Sequence, residues 1–274
     1  MDNLNKAYQL IDDADVVVVT AGNGLAKIEG LDLLGQTNFS QEFPEIFKNY
    51  GVLSVGTALD LKKLSWKQRW SIWSEFIQKY SLTYEPSVTM RQLKQLLGNK
   101  EYFIATSTFA NFFEKAGFNK KRLFNIFGNW TKMQCSSGVN HGLQDDTAVV
   151  QQFLSVKDNT RELASLVPQC TVCGQPMEIH LPLNDHFYPD TDDNARFRWF
   201  LTGSENKRTV FLELGVDETS PQLLNPVLHL VEEYEQWSYV AADLKKERLP
   251  ESINKRSVAF NADSKSLLAA LVKG

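Results

Sequence analysis

Nowhere does this chain of 274 residues approach the roughly 18 uninterrupted apolar residues of a membrane span. Its first ten residues also lack the charged-then-apolar layout of a secretory leader. The expectation is a cytoplasmic protein with no membrane partner. Nor is there any excess of positive charge: 29 basic residues stand against 33 acidic ones, for a net charge of −4. The lysines and arginines are scattered rather than gathered in a stripe or tail, which argues against nucleic acid as a partner. Three cysteines are too few for a disulfide framework. Internal repeats and low-complexity tracts are missing too, so solenoids and linker-like chains are excluded.

What the chain does have is apolar bulk. At 43% hydrophobic and 11% aromatic residues it can bury a full core, and its length suits one large domain with a smaller insertion. Residues 4–13 read as a helix leading into Asp15-Val-Val-Val-Val-Thr20. That unbroken β-branched run fits a strand covered on both faces, as in a parallel sheet. It passes directly into Ala21-Gly22-Asn23-Gly24-Leu25, a small-residue turn of the kind that serves either close packing or the approach of a backbone to phosphate. Residues 31–100 are predicted helical, with two aromatic stripes at one-turn spacing: Phe39, Phe43, Phe47 and Tyr50, then Trp66, Trp70, Trp73 and Phe76. Both are expected to face the core.

Further strands are predicted at 102–106, 123–127, 209–214 and 238–242. A helix carrying Phe109, Phe112 and Phe113 should end at Gly117. Another should follow the segment with Pro221 and Pro226, and a last one should span Ser264–Val272. Residues 131–200 turn polar and hold all three cysteines and three of the four histidines, which predicts an inserted loop-rich module rather than sheet. The fold class is α/β: a doubly wound, Rossmann-like parallel sheet with ligand at the carboxyl ends of its strands. Its large domain is drawn from residues 1–30, 101–130 and 205–274. A smaller domain is drawn from two insertions, one helical (31–100) and one Cys-bearing and zinc-ribbon-like (131–204).

Cys170 and Cys173 form a C-x-x-C pair, which in a reducing compartment points to metal or redox chemistry. Structural zinc wants four soft or borderline ligands in a tetrahedron. Cys135 offers a third, and His141 a fourth if its loop bends back. Buried free thiols are the alternative. A thioredoxin-type redox pair is disfavoured, because Cys170 follows Pro168-Gln169 with no strand–helix unit around it. His180, His186 and His229 read as ordinary core or surface residues.

Several fragments, in this order, resemble the sirtuins, and more closely the bacterial branch encoded beside macrodomain proteins and associated with protein ADP-ribosylation. They are Asn38-Phe39 with Phe43, Phe47 and Tyr50-Gly51; Trp70 and Trp73; Phe113 with Ala116-Gly117-Phe118; Arg122-Leu123-Phe124; Gln134-Cys135; Cys170-Thr-Val-Cys173-Gly174; and Leu212-Glu213-Leu214-Gly215. The resemblance implies NAD as cofactor, held between the large domain and a small zinc-and-helix domain, with the nicotinamide–ribose bond as the one broken. It implies a phosphate loop at Thr20–Leu25, where Thr20 takes a glycine place, with Ala21, Gly22, Asn23, Gly24 and Leu25 around the cofactor. It also implies Gly215 with Thr219 or Ser220 near the phosphates, and Cys135, Cys170 and Cys173 as zinc ligands, with His141 the candidate for the family's missing fourth. Asp243 stands where the adenosine ribose would be met, with a helix or loop cap as the alternative.

The family's T-x-N-x-D stretch reads Thr106-Ser107-Thr108-Phe109-Ala110 here. Thr108 keeps a hydroxyl where the amide would be, and Ala110 has no polar group where the family has an acid. Phe127-Gly128 stands where sirtuins place a basic His, or in the macrodomain-linked branch a Gln. A phenyl ring cannot accept a proton, and nearby Asn111, Asn125 and Asn129 do not titrate near neutrality. The implied function is an NAD- or ADP-ribose-binding protein related to protein ADP-ribosyltransferases and deacylases, with weak or lost catalysis. One alternative is a rewired transferase or NAD glycohydrolase in which Glu29 or Asp217 stabilises the ribosyl cation. Two others are an ADP-ribose or nucleotide sensor, and a purely structural scaffold whose cleft is filled by Phe109 and Phe127. The implied partners are NAD or ADP-ribose and an acylated or lipoylated carrier protein or macrodomain protein.

Overall fold

The computed structural model describes residues 3–156, 160–216, 221–245 and 248–273. From the amino terminus, α1 (Asn3–Asp12) leads into β1 (Val16–Ala21), all six of whose residues are buried. The helices α2 (Asn23–Ile28), α3 (Phe39–Glu42), α4 (Pro44–Tyr50), α5 (Val55–Leu59), α6 (Trp66–Ile77) and α7 (Val88–Leu97) follow before β2 (Glu101–Thr106). Next come α8 (Phe112–Lys115), β3 (Leu123–Asn125), β4 (Asn129–Cys135), β5 (Gln144–Asp145), α9 (Thr147–Ser155), α10 (Thr160–Ser165), β6 (Met177–His180) and α11 (Thr191–Thr202). The chain closes with β7 (Thr209–Leu214), α12 (Pro221–Glu233), β8 (Trp237–Ala241), β9 (Ser257–Ala259) and α13 (Ser264–Leu271).

Six strands pair in parallel in the order β3-β2-β1-β7-β8-β9. Period-2 alternation divides their side chains between two cores. Val17, Val19, Val210, Leu212 and Val240 join the cluster that includes Ala7 and Ile11 of α1 and Leu267, Leu268 and Leu271 of α13. Val16, Val18, Phe211 and Tyr239 pack beneath Leu224, Val227, Leu228 and Val231 of α12. Helices therefore cover both faces, as the apolar strands require. The chain moves outward from β1 in one direction through β2 and β3 and in the other through β7, β8 and β9, so the topological switch point falls between β1 and β7.

Residues 131–200 are not loop-rich in place of sheet. They build an antiparallel sheet of order β5-β4-β6 together with α9, α10 and α11. β4 is buried on both faces, so Asn129-Trp-Thr-Lys-Met-Gln-Cys135 shows no alternation to mark it as a strand. Helix α11 packs on β2 and β3, where Phe197 and Phe200 meet Phe103 with ring centroids 5.2 and 5.3 Å apart. The two insertions touch through Trp70 of α6, whose Nε1–H donates to the carbonyl of Met177 on β6 at 3.0 Å. Its ring lies 6.1 Å from that of Phe153 on α9. Burying such a ring contributes about 2–3 kcal/mol.

Other expectations are corrected in detail. Phe47 is 39% exposed, because the aromatic stripe is broken at Phe43, where φ is −133° between α3 and α4. Phe109 precedes its helix rather than riding on it, although the chain does turn left-handed at Gly117, with φ +79°. Pro221 opens α12 instead of preceding it, and Pro226 lies inside, exposed. Proline suits the first helical position because its missing N–H would have no partner there. The third strand stops at Asn125, leaving Phe127 in the turn beyond it.

Candidate functional site

At the carboxyl end of β1 the chain turns through Gly22 into α2, and this turn is pressed against the end of β7. Gly22 N–H donates to Leu214 O and Gly24 N–H to Gly215 O, both at 2.9 Å, and Leu25 N–H donates back to Gly22 O at 3.1 Å. A Cβ on Gly22 would stand 2.4 Å from Gly215 O, and one on Gly215 would stand 2.1 Å from Leu25 N. Gly215 is also left-handed, with φ +66°. These glycines are thus required by close packing. Of the amides from Gly22 to Leu25, only that of Asn23 makes no hydrogen bond among the described residues.

The neighbouring strand end closes on the same turn. Ser107 N–H and Thr106 Oγ1 both donate to Ala21 O, at 2.9 and 3.2 Å. Thr108 is buried, with its hydroxyl 2.7 Å from that of Thr106. Ala110 is buried as well, and Phe109 sets its ring edge-on to Trp130 at 4.9 Å. Asn111 caps the start of α8, and its Oδ1 is buried with no hydrogen-bond partner among the described residues. Asn129 accepts from Thr131 through both N–H and hydroxyl, and Asn125 closes β3. Phe127 is half-buried. Two cavities border this region. One of about 150 Å³ lies on the α12 side, against Thr20, Ala21, Ala105 and Val216. The other, about 290 Å³, lies beyond α2 between Lys27, Asp32, Asn38 and Tyr80. A larger cavity of about 550 Å³ lies away from the strand ends, between α4, α6 and α9.

The acids expected near the strand ends divide sharply. Glu29 is 8% exposed, and both its oxygens are occupied, by Tyr84 Oη at 2.6 Å and Ser87 Oγ at 2.7 Å, so it clamps α2 to the start of α7. Asp217, Thr219 and Ser220 lie outside the described residues. Asp243 takes a left-handed φ of +61° at the end of β8 and accepts from Ser264 Oγ at 3.2 Å, which ties it to the start of α13. The acid that sequence reasoning passed over is Glu213. It is fully buried on β7, where it accepts from Thr20 Oγ1 at 3.1 Å and from Tyr239 Oη. Burial pushes its pKa up to about 7, against the opposing pull of those two donors. One acid in the run Thr209-Val-Phe-Leu-Glu-Leu214 was its only signal.

In the small module the loop after β4 does bend back. Cys135 Sγ lies 3.4 Å from Cys173 Sγ, and Cys170 Sγ lies 3.3 Å from His141 Nδ1. All four potential ligand atoms lie within 4.8 Å of one another. Tetrahedral zinc with bonds of about 2.3 Å to sulfur sets its ligands about 3.8 Å apart, so the set fits that ion. Backbone N–H groups, foremost that of Cys173, help bring the Cys170 thiol down to about 6. Hydrogen bonds to Cys135 and then Cys170 raise His141. His180 is buried and its Nε2–H donates to Tyr188 O at 2.8 Å, while His186 and His229 are exposed.

This architecture matches solved structures along nearly its whole length. A structure described as the structural basis of sirtuin substrate affinity superposes with a TM-score of 0.64 at 14% identity, over 98% of this chain and 97% of that one. A Sir2 homologue mutant in complex with ADP-ribose gives 0.61 at 14% identity, over 100% and 96%. A Sir2 homologue in complex with NAD gives 0.61 at 14%, over 98% and 92%. The chain has the sirtuin fold.

No protein-family model matches it. It is 24% identical over 268 residues to a "Protein ADP-ribosyltransferase" of Staphylococcus aureus (strain Mu50 / ATCC 700699), covering 96% of this chain and 85% of that protein. It is 26% identical over 234 residues to a "Probable bifunctional ADP-ribose hydrolase/ADP-ribosyltransferase" of Fusarium oxysporum f. sp. cubense, covering 81% of this chain and 39% of that one. Within the sirtuin fold, Thr106–Thr108 and the Gly22–Gly24 turn come together at the ends of β1 and β2, while the cysteine knuckle closes the small sheet at the end of β4. Thr20, in a glycine place of the resemblance, is explained by its bond to Glu213.

Proposed function

We propose that the protein binds NAD or ADP-ribose in the crevice at the carboxyl ends of β1, β2 and β7, and that its transfer activity is weak or lost. The first half is supported by the switch point between β1 and β7, where open α/β sheets hold dinucleotides. NAD and ADP-ribose in solved relatives of the same fold support it further. The second half is carried by one observation. At the three positions where the resemblance puts catalytic groups stand Thr108, whose buried hydroxyl is turned onto Thr106; Ala110; and Phe127. None exchanges a proton near neutral pH. Positioning and base catalysis each contribute orders of magnitude to rate, and Glu29 is committed to Tyr84 and Ser87. The Cys135, His141, Cys170 and Cys173 set holds zinc in this reading, as a structural clamp of the small module.

A second reading, an active NAD-dependent protein ADP-ribosyltransferase that uses other residues, is favoured by the Staphylococcus aureus relative, which extends over 96% of this chain. Calorimetric titration with NAD and with ADP-ribose, alongside metal analysis of the same sample, tests the binding half. Micromolar binding with one zinc per chain is expected. Flat titrations with both ligands would leave a scaffold. Nicotinamide release with an acylated or lipoylated carrier protein present separates the two readings, since the first predicts none above background.

A further inference from the structure

The strand-end crevice has a feature that the proposed binding does not use. Glu213 sits on β7 in register with Thr20 of β1 on one side and Ala241 of β8 on the other. Its carboxyl is fully buried and, among the described residues, meets only neutral donors, Thr20 Oγ1 and Tyr239 Oη. From α12, the helix packed over that face, Leu224, Val227 and Leu228 point inward, whereas His229, Glu232 and Glu233 are exposed. Asp217 and Glu218 follow β7 outside the described residues. No cation among the described residues pairs with this acid. Two residues further along each chain, Gly22 and Gly215 meet in the turn at the strand ends, locked by Gly22 N–H to Leu214 O and Gly24 N–H to Gly215 O.

We propose that Glu213 couples nucleotide binding to the uptake of a proton: an anion entering the crevice at the ends of β1 and β7 drives the buried carboxylate beneath it to the neutral acid. This rests on the reading that the crevice holds a nucleotide. A buried carboxyl without a cation is already poised near neutrality, at about 7. At an effective dielectric of about 20, a negative charge about 10 Å from a carboxylate disfavours its ionised form roughly tenfold. The bonds rearrange simply. The proton comes from solvent or buffer onto one Glu213 oxygen, while Thr20 at Oε2 and Tyr239 at Oε1 go on donating to the lone pairs that remain. Thr20 in place of a small glycine then has a role: it ties the strand that enters the turn to the group that titrates. ADP-ribose, with two phosphate charges and no nicotinamide cation, should draw the proton more strongly than NAD. By linkage, affinity rises as pH falls.

The test is calorimetry of the whole protein with ADP-ribose near pH 7, in two buffers of very different ionisation heat. Wild type should show heats that differ by the uptake of about 0.4 proton, and affinity up to about tenfold tighter at pH 6 than at pH 9. Glu213→Gln should bind with heats independent of buffer and affinity independent of pH, and NAD should elicit the smaller uptake in wild type. ADP-ribose itself does not titrate in this range, so any uptake belongs to the protein. Wild-type binding with equal heats in both buffers would overturn the coupling while sparing the proposed function. No binding at all would overturn both. Because Glu213→Gln need not fold, carboxyl-carbon NMR of wild type gives a second readout. Glu213 should titrate near neutrality and move upward with ADP-ribose, and an unmoved midpoint would contradict the proposal.

Discussion

The cysteine knuckle and the strand-end crevice have both lost side chains relative to the sirtuin pattern, and they differ in what fills the loss. At the knuckle the second half of one C-x-x-C pair is missing, yet His141 swings in from six residues on and brings its Nδ1 to 3.3 Å from Cys170 Sγ. At the crevice, in the proposed reading, Ala110 and Phe127 stand where the resemblance puts an acid and a base. The contrast follows from what each chemistry demands. A closed metal shell needs only donor atoms at the right separation, so any loop long enough can supply one. Proton transfer needs a group with a suitable pKa within hydrogen-bond reach of the reacting atom, and neither alanine nor phenylalanine can be that group.

The largest effect should come from breaking the better-preserved region. Stripping metal with a chelator, or replacing Cys170→Ser, should lower Tm by about 10 °C or more, because metal binding is folding free energy for such a module. Thermal scans with and without added zinc check this, and unchanged melting would mean the four ligands hold no metal. The crevice comes next. Gly215→Ala forces a side chain into the left-handed region and onto Leu25 N, 2.1 Å away. It should cost about 2–4 kcal/mol in urea unfolding and abolish ADP-ribose binding.

How far these regions could be read from sequence depends on how they are buried. β1 was legible because Val16–Val19 are covered on both faces and so form one apolar run. β4 is equally covered but includes Asn129, Lys132 and Gln134, and β5 is only two residues long, so the small sheet gave no pattern. β9 is only three residues long and directly follows a 3₁₀ turn at Glu251–Arg256, so it too was missed. The aromatic stripe predicted Phe39 and Phe43 correctly and failed at Phe47, because a helix break resets the angular phase that such a prediction assumes. The glycines of the crevice and the four knuckle residues were visible as candidates. The Glu213–Tyr239 contact was not, since its partners are 26 residues apart and meet only through sheet register.

A third prediction contrasts buried acids. Glu213 has two donors, whereas Asp146, at the start of α9 beside the small sheet, is fully buried with neither oxygen hydrogen-bonded among the described residues. Burial pushes its pKa well above the ordinary 3.8. A raised folded-state value means that the contribution of Asp146 is fully present below about pH 3.8 and is lost as pH rises through that higher value. Asp146→Asn should therefore gain about 1–2 kcal/mol at neutral pH and little in acid, as read from urea unfolding across pH. The smallest effect should be that of Phe127→His alone. One restored base still faces Ala110 and Thr108, so nicotinamide release should stay at background. The triple change with Ala110→Asp and Thr108→Asn should raise it at least tenfold.

The proposed function requires a nucleotide crevice whose catalytic positions hold no proton-transfer group. Its most direct test is to follow release of labelled nicotinamide from NAD by the wild-type, zinc-loaded protein, with an acylated or lipoylated carrier protein present and at NAD concentrations that calorimetry shows to saturate it. Saturable binding with release no faster than in buffer is expected. Turnover by the saturated wild-type protein would contradict it and identify an active transferase.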